Sequence, residues 1–396
     1  MVHIAAKSLR IALISHTFGE YCVQLANGLA RHAQVLLMLP SEVAVPHRAR
    51  LNHTVRLFTY PSPRFRQPIL QFRMLRALFS AIRDFGPELI HYQGGHPWLD
   101  LTLPLLRSCP LVLTTHDVRP HPGDRVSKKT PWWMEKFVRQ QADWLIVQTK
   151  FAREAIIRDL PAAEKHTSVV PHIQIGQQTA STSNRDDRPL VLFFGRIWEY
   201  KGLEYLIRAE PFVTASVPDV RFLIAGQGED FSRYSRMMVH PERFIVDNEF
   251  ISEERATEYF AQASVVVLPY IEASQSGVVV MAYSAAKPVV ASAVGGLPEM
   301  VEHGRTGYLV RPRNVTQLAG YVNRLLLDPE LRHRMGANAR SKIEAECSPE
   351  VIASATMEVY ARAIAHGVQG RKSNWLRRPA TAPVASIDYA DRNNTT

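Results

Sequence analysis

The chain has 396 residues, enough for two domains with complete cores, and a hydrophobic content of 46% that is ordinary for α/β proteins. Its formal net charge is +10, and its three cysteines are scattered without metal-ligand spacing, which excludes a disulfide framework. No apolar run has the length of a membrane span or a secretory signal, so we expect a cytoplasmic protein.

The first half of the chain alternates between short apolar strands and helical segments. This alternation predicts a mostly parallel, doubly wound sheet that binds ligands outside the carboxyl ends of its strands. The strand candidates are 9–15, 34–39, 54–58, 89–92, 111–115, 144–148 and 168–170. Two loops that follow such strands are candidate ligand loops. In the first, HTFGEY at 16–21, Gly19 would let a diphosphate approach backbone N–H groups; the second begins with His116.

The positive charge is concentrated in residues 1–180, which carry 22 basic and 12 acidic residues. Residues 64–83 interleave arginines with large apolar side chains and predict a basic amphipathic helix. A second basic and aromatic cluster contains Lys128, Lys129, Trp132, Trp133, Lys136 and Arg139. Both segments suit an anionic membrane surface, so a peripheral position on the inner face of the membrane is one hypothesis. The alternative is a helix packed on its own sheet. A nucleic acid is not expected, because no binding motif accompanies the charge.

The stretch FFGRIWEYKG at 193–202 is a candidate phosphate site. An apolar strand at 190–194 leads into Gly195, and Arg196 and Lys201 follow before a helix that begins near residue 203. A guanidinium and an ammonium near a helix N-terminus would hold a diphosphate, because the helix dipole also favours an anion there. The alternative is an exposed loop with two solvated charges.

A second strand, loop and helix start occupies residues 264–290. Its polar loop carries Glu272, and Ser276, Gly277 and Val278 open an apolar helix whose first N–H groups could bind the same phosphates. A carboxylate beside a phosphate site must face something other than the anion. Sugar hydroxyls suit it, because a carboxylate accepts hydrogen bonds from hydroxyl groups and stabilises positive charge that develops at an anomeric carbon.

Several motifs, in order and spacing, resemble those of the retaining glycosyltransferases of family 4. They are GRIWEYKG, LIAGQG at 223–228, EASQSG at 272–277, KPVVAS at 287–292 and GGLPEMVEHGRTGYLV at 295–310. The resemblance extends from the first strand to about residue 360. It implies an α/β chain of GT-B architecture, in which two Rossmann-like, doubly wound domains face a central cleft. It also implies transfer of a sugar from a nucleoside diphosphate sugar, a co-substrate rather than a cofactor, without a metal.

The resemblance suggests two domains with separate functions, and polar composition without an apolar period indicates the linker and the tail. We expect an acceptor-binding domain at 1–176, a linker at 177–189, a nucleotide-sugar-binding domain at 190–347, a helix at 348–368 that crosses back to the first domain, and a disordered tail at 369–396. The reaction would move a hexose to a glycan or lipid-linked acceptor in cell-envelope or exopolysaccharide biosynthesis. Arg196 and Lys201 would neutralise the leaving diphosphate, and His116 would orient the donor sugar. The expected donor contacts are Gly19, Arg196, Lys201, Gly226, Asn248, Glu272, Ser276, Gly277 and Val278.

One position departs from the family pattern. Members of the family usually carry two glutamates around the phosphate loop, and Met281 stands where the second would fall. Because that carboxylate typically holds the ribose, the nucleotide stays unassigned. Two alternatives stay open within the fold, an epimerase-type enzyme and a noncatalytic sugar-nucleotide-binding protein. A Rossmann oxidoreductase is disfavoured, because no complete G-x-G-x-x-G follows the first strand.

Overall fold

The computed structural model describes residues 9–106, 108–118, 132–176 and 188–368, which form two α/β domains. The predicted linker core at 177–187, the tail at 369–396, and Lys128 and Lys129 lie outside the described residues. In both domains every strand is parallel to its neighbours, as the alternation of strands and helices predicted. The expected fold class, two doubly wound domains, is therefore confirmed.

The first sheet has seven strands in the order β3-β2-β1-β4-β5-β6-β7. The strands are β1 Arg10–Ile14, β2 Gln34–Pro40, β3 Arg56–Tyr60, β4 Leu89–Tyr92, β5 Leu111–Thr114, β6 Trp144–Val147 and β7 Thr167–Val169. The third begins two residues later than predicted, because the backbone N–H and hydroxyl of Thr54 both donate to Asn52 Oδ1 and form a turn. The strand order reverses between β1 and β4, so the loops after these two strands diverge and leave a crevice.

In the described part of the first domain, six α-helices connect these strands. They are α1 Gly19–Leu29, α2 Ser41–Ala44, α3 Pro68–Phe85, α4 Pro97–Thr102, α5 Trp132–Gln141 and α6 Lys150–Asp159. The predicted basic amphipathic helix forms, but it begins at Pro68 rather than at residue 64, because proline suits the first turn of a helix. Its apolar face packs with α4, α5 and α6 on one side of the sheet, while α1 covers the other.

The second sheet has six strands in the order β10-β9-β8-β11-β12-β13. The strands are β8 Leu190–Phe194, β9 Arg221–Ala225, β10 Phe244–Asp247, β11 Val265–Leu268, β12 Val289–Ser292 and β13 Gly307–Val310. The helices of this half are α7 Leu203–Ser216, α8 Ser232–Ser235, α9 Glu253–Gln262, α10 Gly277–Ser284, α11 Leu297–Met300, α12 Val315–Leu327, α13 Pro329–Cys347 and α14 Pro349–Val368. The order reverses between β8 and β11, which again opens a crevice at their carboxyl ends.

The last helix, α14, returns to the first domain. Ile352, Val359 and Tyr360 are buried in the same apolar cluster as α1. The hydroxyl of Tyr360 lies 2.7 Å from Nδ1 of the buried His91, whose Nε2 lies 2.7 Å from Thr114 Oγ1. The helix α14 thus packs on the first domain through both apolar and polar contacts. Among the helices described, none is both long and apolar enough to cross a bilayer.

Candidate functional site

The two domains touch across the crevice through Glu299, which belongs to the GGLPE motif of the second domain. Its carboxylate accepts hydrogen bonds from the backbone N–H groups of Lys150 and Phe151, at 2.7 and 2.8 Å, at the N-terminus of α6 in the first domain. Beside it, the hydroxyl of Thr149 donates to the carbonyl oxygen of Ser274 at 3.0 Å. A carboxylate at a helix N-terminus is favoured by the unpaired N–H groups and by the helix dipole, so this contact holds the domains together.

A second contact between the domains centres on Arg50. Its guanidinium donates to Glu20 of α1 at 3.2 Å and to Glu253 of α9 in the other domain at 2.7 Å. Glu20 also accepts the backbone N–H of Gly176 at 3.0 Å. Burial raises the pKa of Glu20, while the hydrogen bonds and the positive charge of Arg50 oppose that effect. The contacts from Glu20 and Arg50 therefore tie α1, the start of the linker and the second domain to one another.

His116 lies in the crevice at the end of β5, and both of its ring nitrogens have partners. Nε2 lies 2.9 Å from Gln93 Oε1, and Nδ1 lies 3.0 Å from Gln148 Nε2. With the amides in these orientations, Gln148 donates to Nδ1 and the Nε2–H donates to Gln93, which defines the neutral tautomer. Burial lowers the pKa of His116 to about 3. The ring is therefore an uncharged hydrogen-bonding group at neutral pH.

The face of the His116 ring is covered by Phe18. The ring centroids are 4.0 Å apart and the planes lie within 28° of each other, while the edge of Tyr21 approaches at 5.1 Å. Phe18 has φ 59°, a left-handed conformation that bulky residues rarely adopt, and its side chain is 44% exposed. Sequence reasoning missed Phe18, Gln93 and Gln148. Gln93 and Gln148 directly follow β4 and β6, the position where ligand-binding residues of a parallel sheet are expected.

The predicted phosphate motif at 193–202 brings Arg196 and Lys201 to a common partner, Tyr200. Arg196 Nη2 donates to the Tyr200 hydroxyl at 3.1 Å, and Lys201 Nζ lies 5.1 Å from the centroid of the same ring. Lys201 also lies 3.8 Å from the ring centroid of Tyr270, which follows β11. Arg196 is exposed and Lys201 is partly buried. Both cations are thus held by aromatic side chains at the exit of β8.

The loop with Lys201 packs directly on the loop that carries Glu272. The carbonyl oxygen of Tyr200 accepts the N–H of Ile271 at 2.8 Å, and a side chain at Gly202 would clash with the carbonyl oxygen of Pro269. This close approach requires glycine in the KG pair of the motif. Two motifs that are about 70 residues apart in sequence therefore form one surface at the carboxyl ends of β8 and β11.

The N-terminus of α10 completes this surface. The hydroxyl of Tyr270 lies 3.4 Å from Ser276 Oγ, which in turn accepts the N–H of Val278 at 3.3 Å. The predicted anion donor Val278 N–H is thus already used by the helix cap, which leaves the N–H groups of Ser276 and Gly277 as the stronger candidates. Glu272 is partly buried, and within the described ranges its carboxylate makes no hydrogen bond or ion pair.

Two of the expected donor glycines have a packing role in the structure. A side chain at Gly226 would clash with the carbonyl oxygen of Gly195, and its N–H donates to Asp247 O. At Gly19, an added Cβ would lie 2.6 Å from the His47 ring. The structure thus shows why glycine is needed at these two positions, and their contacts with the donor stay predictions. Asn248 is exposed just after the edge strand β10.

Met281 packs against the chain segment that connects the domains. Its Cα and Cγ both lie 3.7 Å from the Cβ position of Gly176, and one turn later Ser284 Oγ donates to the carbonyl oxygen of Ile175 at 2.9 Å. Met281, where the resemblance predicted a glutamate, thus contributes to a contact between α10 and the start of the linker. Among the described residues, no group of three His, Cys, Asp or Glu side chains is placed to hold a metal ion.

Family models describe both halves of the chain. "Glycosyltransferase Family 4" matches residues 19–173, and "Glycosyl transferases group 1" matches residues 188–328. The chain is 32% identical over 252 residues to an α-D-kanosaminyltransferase from Streptomyces kanamyceticus, a match that covers 58% of this chain but less than two thirds, 64%, of that relative. It is 27% identical to an α-maltose-1-phosphate synthase from Mycolicibacterium smegmatis, over 76% of this chain and 86% of the relative.

Solved structures of other proteins share this fold. A sucrose-phosphate synthase from Thermosynechococcus elongatus aligns with a TM-score of 0.68 at 23% identity, covering 90% of this chain and 99% of the other. Anabaena HepE in complex with UDP-glucose aligns with a TM-score of 0.68 at 18% identity, covering 89% and 100%. At these identities the similarity establishes the fold, which is the two-domain arrangement described above.

Proposed function

We propose that this chain, which belongs to the group 1 glycosyltransferases of family 4, moves a hexose from a nucleoside diphosphate sugar to a glycan or lipid-linked acceptor. The reaction would retain the configuration at the anomeric carbon, need no metal, and serve cell-envelope or exopolysaccharide biosynthesis. The observation that carries the proposal is the single surface formed by Arg196, Lys201 and the N-terminus of α10, which Tyr200 and Tyr270 link together. Two cations and unpaired helix N–H groups are what a diphosphate requires.

In this proposal the two domains make different contacts with the donor. Arg196 and Lys201 neutralise the charge that develops on the diphosphate as the glycosidic bond breaks. Glu272, a carboxylate on the adjacent loop, accepts hydrogen bonds from hydroxyl groups of the donor sugar. His116 and its two glutamine partners orient the sugar from the first domain. Because His116 is neutral, it acts through hydrogen bonding and shape rather than as a cation or a proton carrier.

The test of the donor site is a thermal-shift screen of the full chain against UDP, GDP, ADP, CDP and dTDP and their hexose conjugates. A ligand that binds only the folded state raises the melting temperature, by mass action. UDP and UDP-glucose come first, because the HepE structure with the same fold holds UDP-glucose. We expect one nucleotide to raise the melting temperature of the wild type and of Arg208→Ala, an exposed control on α7, but not of Arg196→Ala. No shift with any nucleotide would overturn the proposal.

We also propose that the first domain rests on an anionic membrane surface through α3 and its neighbours. Phe65, Ile69 and Phe72 are each more than 60% exposed at the start of α3, and arginines flank them. Trp133 of α5 and Leu105, after α4, are more than half exposed, and a groove of about 320 Å³ lies between α3 and residues 105–106. Exposed apolar side chains framed by arginine suit the boundary between headgroups and acyl chains.

Flotation with liposomes tests this surface separately from the chemistry. Wild-type protein should float with vesicles that contain phosphatidylglycerol at low salt, and less of it should float at high salt, because the lipid charge is then screened. The double variant Ile69→Ser, Phe72→Ser should not float with the vesicles and should remain at the bottom of the density gradient. Phe250→Ser removes a side chain of the second domain that is 79% exposed and should float like the wild type. Equal flotation of all three proteins would contradict the assignment of this surface.

A further inference from the structure

Two buried polar atoms near the reversal point of the first sheet lack partners among the described residues. Gln93 follows β4 and is only 3% exposed; its Oε1 faces His116, but its Nε2 has no hydrogen-bond acceptor. His16 follows β1, and its Nδ1 is buried without a partner, while its Nε2 lies 3.1 Å from Ser62 Oγ. A buried polar group without a partner costs about 1–3 kcal/mol, so the loops are built to meet a ligand or water here.

A second histidine adds a donor to the same place. The ring of His96 lies 4.4 Å from that of His16, and its Nδ1 accepts the N–H of Leu99 at 3.3 Å. A neutral imidazole whose Nδ1 accepts a hydrogen bond carries its proton on Nε2, so His96 presents an Nε2–H. Between the two strand ends, Gly94 has no atom within 4 Å of its Cβ position, and at Gly95 the nearest atom is Thr17 Oγ1 at 3.7 Å. The backbone there leaves room beside the unpaired groups.

The cluster of Gln93, His16 and His96 differs in charge from the proposed donor site. Burial lowers the pKa of His16, and it lowers the pKa of His96 to about 4. Both rings are therefore neutral at pH 7. Among the described residues, the charged group that acts on the pKa of His16 is a carboxylate, Glu42, which raises it and partly opposes the effect of burial. A phosphate or carboxylate bound here would lose its hydration beside two neutral rings and the carboxylate of Glu42. A hydroxyl group both donates and accepts hydrogen bonds, so it can satisfy amide and imidazole groups alike.

We propose that Gln93, His16 and His96 form the acceptor subsite, and that the part of the acceptor bound there is an uncharged sugar or polyol. The inference rests on the proposed transferase function and specifies its acceptor. Ser62 connects the subsite to the proposed membrane surface, because the chain continues from it to Phe65, whose carbonyl oxygen accepts the indole N–H of Trp98 at 3.2 Å. A lipid-linked acceptor would keep its phosphate and lipid at that surface and place a neutral sugar beside the histidines.

The test uses the full chain with histidine labelled at the ring carbons, observed by NMR. Neutral octyl glycosides of glucose, galactose, mannose and N-acetylglucosamine are titrated, with the matching hexose 6-phosphates as charged counterparts. We expect at least one neutral glycoside to shift the His16 and His96 signals, which His16→Gln and His96→Gln identify, and the phosphates to leave them unchanged. Gln93→Glu keeps the oxygen toward His116 but loses the Nε2 donor, so it should weaken binding about tenfold, the effect of one lost hydrogen bond. The matched control His32→Gln alters an exposed ring and should bind like the wild type.

Stronger binding of a hexose 6-phosphate than of its neutral partner would overturn the inference. So would the absence of any shift at His16 and His96 when the same sample is still stabilised by a nucleotide, because the donor site would then be intact and this cluster merely hydrated. Failure of the nucleotide to stabilise a sample that still binds the neutral glycoside would instead contradict the transferase function and leave the sugar subsite standing. The two proposals therefore fail in distinguishable ways.

Discussion

Phe18 holds a left-handed backbone conformation, φ 59°, while its ring lies 4.0 Å from that of His116. A bulky residue in this conformation costs about 1–2 kcal/mol, so the stacked ring is kept despite strain. We expect Phe18→Gly to be more stable than Phe18→Ala, because both lose the ring but only glycine relieves the strain. Urea unfolding of the two variants measures the difference, and equal or reversed stabilities would show that the strain is absent. Both variants should lower turnover, whereas Phe18→Tyr should largely preserve it.

The neutral state of His116 predicts a loss of stability in acid. The pKa of His116 is about 3 when folded, against 6.5 for an ordinary histidine, so the unfolded chain binds a proton more readily as pH falls. The contribution of neutral His116 to the free energy of unfolding is fully present above pH 6.5 and is lost as the pH falls from 6.5 toward 3. Between pH 7 and pH 5 this amounts to about 2 kcal/mol. Urea unfolding at pH 7 and pH 5 measures how much unfolding free energy each protein loses. His116→Gln should lose about 2 kcal/mol less than the wild type, while His32→Gln should lose as much as the wild type. An unchanged loss in His116→Gln would mean that the ring is not buried as neutral.

Met281 is predicted to serve packing rather than to mark a missing ribose contact. Met281→Glu would place a carboxylate against Gly176, close to the carboxylate of Glu20, which already accepts the Gly176 N–H. We expect a loss of about 1–3 kcal/mol in unfolding free energy, because an unpaired carboxylate would enter a partly buried contact, and no gain in nucleotide affinity. Calorimetric titration with the nucleotide that stabilises the wild type checks the second part. A tenfold gain in affinity would show instead that the ribose contact is absent in this chain and can be restored.

Glu299 is predicted to control the closure of the crevice. Glu299→Ala removes the acceptor of two N–H groups at the start of α6, so the ligand-free protein should open and its radius of gyration should increase. Small-angle X-ray scattering measures this change, with the exposed Glu258→Ala on α9 as the control. Glu299→Gln keeps one acceptor oxygen, so its radius of gyration should lie between those of the wild type and Glu299→Ala. Identical scattering from all of the variants would show that other contacts, such as Arg50 with Glu253, suffice to hold the domains.

The sequence predicted the parts of the site that depend on local pattern. Short apolar runs located the strands, and the motifs placed Arg196 and Lys201 after a strand and Ser276 at the start of a helix. The structure brings these three residues together through Tyr200 and Tyr270. The neighbours that require glycine at Gly19 and Gly226 were not predicted, because a glycine in a loop shows that space is needed but not which neighbour fills it.

Contacts between distant segments were beyond local pattern. Gln93 and Gln148 are single residues in loops, and only the fold shows that they enclose His116 from two sides. Glu299 belongs to a recognised motif, but its hydrogen-bond donors lie in the other domain, so its spacing in the sequence could not predict this contact between the domains. The same holds for His16 and His96, which lie 80 residues apart and meet only because β1 and β4 are neighbours in the sheet.

The most direct test of the central claim is the release of nucleoside diphosphate from the nucleotide sugar selected by the thermal-shift screen, compared between wild type and Lys201→Ala. The account predicts that the variant loses at least about a hundredfold in kcat/KM, because a cation on the leaving group is worth roughly 3 kcal/mol in the transition state. Lys201→Arg should retain part of the activity, and the exposed Arg208→Ala should retain all of it. Full activity in Lys201→Ala would contradict the assignment of this surface as the donor site.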